Sequence, residues 1–147
     1  MSSHEDLRAF DDRETIERLV SLLRTHLPSD WKRLVQKYRA LGSVSQAPAM
    51  VWNRDNAGCL WRPPGEAVQL LEQLRHNMYR PERGAWLSMD LVLRSSNTVD
   101  ISYFWHEDAG WGDQRPGRTA FHEELEIHPR SGGFIPDWFQ TGLEQVR

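Results

Sequence analysis

Residues 85–105 constrain this chain more than any other stretch. Ala85, Leu87, Met89, Leu91 and Leu93 alternate with Trp86, Ser88, Asp90, Val92 and Arg94. Ser95-Ser96-Asn97 then turns the chain, and Val99, Ile101, Tyr103 and Trp105 alternate with Asp100, Ser102 and Phe104. Strict period two puts successive side chains on opposite faces, so each run reads as a half-buried strand. Two such runs across a short turn predict an antiparallel hairpin with one face on a core. The other face would carry Trp86, Asp90, Phe104 and His106. Its aromatics either form an anchor surface or lie beneath the helix that follows.

A lone hairpin is marginal in water, so other elements must cover its apolar face. Helices are available. Ile16, Leu19, Val20, Leu23 and Leu27 recur at helical spacing behind Asp11 or Asp12 as a cap, with Glu14 and Glu17 at the positive end and Pro28 as a stop. Pro63-Pro64 opens a second helix, whose stripe is Ala67, Leu70, Leu71, Leu74 and Met78. Short helices are expected over 118–127 and after Ile135-Pro136, with a Gly-rich loop over 109–118. Residues 1–10 have no period and read as a loose tail ahead of one domain, 11–147.

The stretch between the first two helices is ambiguous. Trp31, Leu34, Val35, Tyr38 and Leu41 fit a helix, whereas Leu34, Gln36, Tyr38 and Ala40 fit one face of a strand; periodicity favours the helix. Residues 47–52 read as a strand and 53–58 as a turn, after which Cys59-Leu60-Trp61 pairs back.

A chain of 147 residues is one domain's worth. No apolar run approaches the roughly 18 residues needed to span a bilayer, and the N-terminus lacks the features of a signal peptide. One Cys excludes an internal disulfide framework and a Cys-based zinc site, consistent with a cytoplasmic protein. The charge is uneven. Residues 18–41 carry six bases and one acid, residues 107–126 six acids and two bases, and the whole chain −3. That balance argues against a nucleic-acid binder. The basic stretch around Arg33, Lys37 and Arg39 reads as a solvated face rather than a phosphate track. Acidic surfaces steer basic partners, which makes 107–126 the better candidate interface, with plain solubility as the simpler account.

Catalytic signals are weak. His122 and His128 are six apart, which does not place both on one helix face, so no metal site is expected. Glu107-Asp108 and Glu123-Glu124 are sequence neighbours that do not face one site. Gly110-Trp111-Gly112 lacks the strand–turn–helix context of a phosphate loop. Cys59 has no base nearby in sequence and reads as a buried structural residue. Most of the seven Trp should be core.

The stretch Met78-Tyr79-Arg80-Pro81-Glu82-Arg83-Gly84-Ala85-Trp86 resembles the "MYRPG-GTW" segment of actinobacterial members of the YezG-like immunity family. Glu124-Leu125-Glu126-Ile127-His128-Pro129-Arg130 and Ile135-Pro136-Asp137-Trp138-Phe139 resemble that family's "EL…PR…IPDW" close. Trp31 and Arg62-Pro63-Pro64 also match in place, so the resemblance runs from about Leu19 to Phe139. It implies an α+β fold, an antiparallel sheet packed against helices, in which 33–40 is a strand, and we follow it there over periodicity. It also implies a non-enzymatic, cofactor-free intracellular protein that binds a cognate secreted toxin 1:1 and occludes its active site. Such toxins are typically nucleases or other intracellular poisons, including NAD-degrading domains. Phe104-Trp105-His106 stand where the family usually shows Asn-Tyr-Asp, while the acids that follow are kept. Specificity is a difference of affinities, so a change there suits a different partner.

The candidate toxin-binding residues are therefore Trp86, Phe104, His106, Glu107, Asp108, Trp111 and Asp113, with aromatics as anchors and acids for steering. The alternative is a small hydrolase using His106, His122 and Glu124. Neither reading involves nucleic acid or a membrane.

Overall fold

The structure is a computed structural model that describes residues 12–145. The expected tail 1–10 and the alternative cap Asp11 lie outside them. Helix α1 (Arg13–His26) begins as the sequence indicates: Asp12 caps it, its Oδ1 accepting the Thr15 N–H at 3.1 Å. Helix α2 (Gly65–Asn77) follows Pro64, which lacks an N–H to leave unsatisfied. The two helices pack side by side and place Leu19, Leu23, Leu70, Leu71 and Leu74 in the main core. Helices α3 (Arg118–Ile127) and α4 (Asp137–Leu143) come last.

The strands are β1 (Trp31–Leu41), β2 (Val44–Gln46), β3 (Ala49–Asn53), β4 (Gly58–Trp61), β5 (Ser88–Arg94) and β6 (Val99–Phe104). They form one antiparallel sheet in the order β4-β3-β1-β5-β6, with β2 against the end of β1. The chain is thus an α+β domain. The expected hairpin is β5–β6, and the expected return strand is β4 on β3.

Segment 31–41 is a strand, against its helical periodicity. The helical spacing is a coincidence of two faces. Leu34, Tyr38 and Ala40 are buried against α1 and α2, while Val35 lies on the opposite face. Gln36 disguises the alternation, because it is a polar residue with no exposed surface. Its Nε2 donates to the carbonyls of Lys37 (2.8 Å) and Ala47 (3.1 Å), which satisfies the amide's donors, while its buried Oε1 has no partner among the described residues. In register, Leu34 faces Leu93, Gln36 faces Leu91 and Tyr38 faces Met89.

A second, smaller apolar cluster sits at the end of the sheet, where Leu41 and Leu87 meet Trp111, Ala120, Phe121 and Phe139. Cys59 corrects an expectation: it is exposed, because β4 is an edge strand with little packed against it.

Candidate binding surface

The helices cover one face of the sheet. The other face is built from odd-numbered residues of β1 and even-numbered residues of β3, β4, β5 and β6. Across it, Leu60, Met50, Val35, Val92 and Asp100 stand in consecutive cross-strand register. Leu60 is 81% exposed, and Met50, Val35 and Val92 are half-buried and belong to neither apolar cluster. Apolar side chains aligned on an uncovered sheet face are the usual makings of a contact surface. Charged rows flank them: Arg33 opposite Arg94 on one side, and Lys37 opposite Asp90 on the other, with 3.4 Å between the latter pair's charged atoms.

At the end of this face nearest α3, Phe104, Glu107 and Asp108 line one concavity of about 310 Å³ together with Lys37, Arg39, Ser88 and Asp90. Three of the residues expected to contact a partner therefore converge. Phe104 is half-buried, and Glu107 and Asp108 are exposed. Asp108 pairs with Arg115, which closes the loop on itself. Asp113 is exposed in a short helical turn further along that loop.

His106 lies beside this concavity rather than in its wall. Its ring stacks on Phe134 at 5.7 Å, and its carbonyl accepts the Trp138 indole N–H at 2.8 Å. Burial, with the positive charges of Arg130 and Arg83, pushes its pKa below the ordinary imidazole value. His106 is thus biased toward the neutral form.

Two expected contact residues are corrected. Trp86 has no exposed surface. Regular pairing begins only at Ser88, because the Arg130 guanidinium bridges the strands before it, donating to the carbonyls of Ala85 (2.9 Å) and Trp105 (2.7 Å). Alternation therefore does not extend to Trp86. Its ring turns into the main core against Tyr38 and Tyr103, and its indole N–H donates to Met78 Sδ. Trp111 is 5% exposed within the smaller cluster, with the Arg39 guanidinium over its ring. Both tryptophans support the surface from beneath.

The hydrolase constellation is not brought together. His122 is exposed on α3, its Nε2 3.1 Å from the Leu143 carbonyl. Glu124, two residues on, points about 200° around the helix into the interior. There its Oε1 lies 2.5 Å from Arg75 Nη2 and accepts the Gly42 N–H at 2.8 Å. Among the described residues, no group of three or more His, Cys, Asp or Glu is placed to hold a metal.

Sequence reasoning missed two features. One is the Leu60–Met50–Val35–Val92 row, which exists only once four strands are in register. The other is a buried polar cluster, in which His128 Nδ1 sits 3.3 Å from Glu124 Oε2 and His128 Nε2 sits 3.2 Å from His76 Nδ1. The two segments that carry the family resemblance also meet in space. Tyr79 donates its hydroxyl to the Pro129 carbonyl, the Ser131 N–H bonds to the Glu82 carbonyl, and Gly84 lies against Arg130. The chain matches no protein-family model and no curated protein.

Proposed function

We propose that this chain is an immunity protein that binds a cognate bacterial toxin 1:1 and blocks its active site. The reading is supported by the convergence of Phe104, Glu107 and Asp108 with Lys37, Arg39 and Asp90 around one concavity of an uncovered sheet face. An apolar row, a half-buried aromatic and a rim of mixed charge supply what protein recognition uses: area to desolvate, an anchor and steering. The resemblance of residues 78–86 and 124–139 to YezG-like immunity proteins names the kind of partner. No helix among the described residues is long and apolar enough to cross a membrane.

The test is co-expression with whatever protein is encoded directly beside this chain. The expected result is rescue of growth and a stoichiometric complex on size-exclusion chromatography. A toxic neighbour that kills equally well in the presence of this chain, and elutes apart from it, overturns the reading.

A further inference from the structure

The opposite end of the sheet face holds a separate cleft of about 500 Å³, lined by Lys32, Arg33, Trp52, Asn56, Arg94, Ser95 and Ser96. Arg33 and Arg94 are direct cross-strand partners. Like charges in that position repel and cost stability unless an anion lies between them. The register of β1 on β3 shifts between Trp31 and Arg33, and this irregularity carries Lys32 to the same cleft. Irregularities of this kind re-aim side chains and are common beside functional sites. Lys32 Nζ donates to Asn56 Oδ1 at 2.9 Å, and Arg94 pairs with Asp100 at 2.9 Å.

Arg33 differs from its neighbours. Its guanidinium lies 4.1 Å over the Trp52 ring and is paired with no carboxylate among the described residues. Its Nε is buried and has no hydrogen-bond partner among the described residues. Trp52 is itself held flat by Gly58, where a Cβ would come within 2.6 Å of the indole nitrogen. The Gly58–Trp52–Arg33 stack therefore orients a planar, multi-donor cation and leaves its donors unspent. That is the arrangement by which arginine takes an oxyanion bidentately.

We infer that this cleft is a binding site for a phosphate monoester, held by Arg33 and Arg94 across the strands with Lys32 at the bulge. Charge selects phosphate over carboxylate: Lys32, Arg33 and Arg94 line the cleft, and among the described residues Asp100 is the one carboxylate that pairs with any of them, an excess that a dianion neutralises and a monoanion does not. The Arg33 guanidinium already lies over the Trp52 ring, so recognition rests on the phosphate and not on a stacked base. This site does not presuppose a toxin partner, although Arg33 and Arg94 flank the apolar row of the same face.

The experiment is NMR of the full chain, following arginine Nε–Hε signals during titration with inorganic phosphate, acetate or a short single-stranded oligonucleotide at constant ionic strength. The expected result is a saturable shift of the Arg33 and Arg94 signals with phosphate, and at least about tenfold weaker binding of acetate and of phosphate to Arg33→Gln. Arg18→Gln, exposed on α1 and outside the cleft, should bind phosphate as the parent does. Arg94→Gln gives a second reading if Arg33→Gln loses its fold. No saturable shift, or equal binding by folded Arg33→Gln and Arg94→Gln, overturns the site. Acetate binding as tightly as phosphate, or the oligonucleotide binding more tightly, overturns the choice of ligand. Growth rescue by the parent chain reads the toxin-binding proposal separately.

Discussion

Arg75 on α2 and Glu124 on α3 form an ion pair with 2.5 Å between charged atoms and almost no solvent on either side chain. Arg75 also donates through Nε to the Trp86 carbonyl at 2.8 Å. The pair thus ties two helices to the segment that leads into β5. Burial by itself would raise the Glu124 carboxyl. Arg75 outweighs it, with help from His128 and the Gly42 N–H, and brings the value from an ordinary 4.5 down to about 2. A carboxylate depressed in the folded state stabilises fully above its unfolded value and loses that contribution as pH falls through its folded one. A shift of this size corresponds to about 3 kcal/mol, lost between about pH 4.5 and pH 2. Urea unfolding across that range should show the loss in the parent and a flatter acid limb in Glu124→Gln. At neutral pH, Glu124→Gln should be less stable by about 3–5 kcal/mol, since Arg75 is left buried and uncompensated. A neutral-pH change below about 1 kcal/mol would mean that water reaches the pair.

Gly84 is required by two independent constraints. Its φ is +86°, and a Cβ there would stand 2.6 Å from Arg130 Nε. Arg130 cannot give way easily, because its guanidinium also bonds to the carbonyls of Ala85, Trp105 and Phe134. Burial lowers its pKa to about 10, which still leaves it charged at neutral pH. Gly84→Ala should cost about 2 kcal/mol or more in thermal or chemical unfolding, from backbone strain and the displaced side chain together. A neutral substitution would show that the 80–84 turn can re-form without positive φ.

Trp86 and Leu60 separate stability from recognition. Trp86→Ala removes a fully buried ring and should destabilise by about 3–5 kcal/mol, so any loss of partner binding would follow from unfolding. Leu60→Ser alters a side chain that is 81% exposed and should move stability by less than about 0.5 kcal/mol. If the uncovered sheet face meets the partner, Leu60→Ser should nevertheless weaken the complex. Calorimetric unfolding and binding measured on the same preparations decide this. Unchanged affinity would remove the apolar row from the interface.

Glu107 and Asp108 stand at the rim of the concavity, where charge acts on encounter more than on the finished contact. Reversing both to Lys should slow association with a basic partner by about tenfold at low salt and weaken its salt dependence. Stopped-flow association at several salt concentrations measures both. An unaltered rate and salt slope would exclude this loop from steering.

The sequence by itself determined the elements whose signals are local. The β5–β6 hairpin, the Asp12 cap and stripe of α1, the Pro64 start and stripe of α2, and the break at Pro28 all follow from side-chain period and backbone freedom, which neighbouring residues specify. Tertiary structure decided the rest. Segment 31–41 became a strand because it is paired on both sides, which outweighs a helical spacing made by apolar residues on two faces with Gln36 buried between them. Trp86 went inward because Arg130, 44 residues further along the chain, replaces the ladder bonds that would have kept the alternation in phase. The site was legible only in part. Phe104, Glu107 and Asp108 were visible as an aromatic followed by acids. The row from Leu60 to Val92 and the Arg33–Arg94 cleft were not, since each is a juxtaposition of residues on different strands, and register between distant strands is set by the packed core rather than by local sequence.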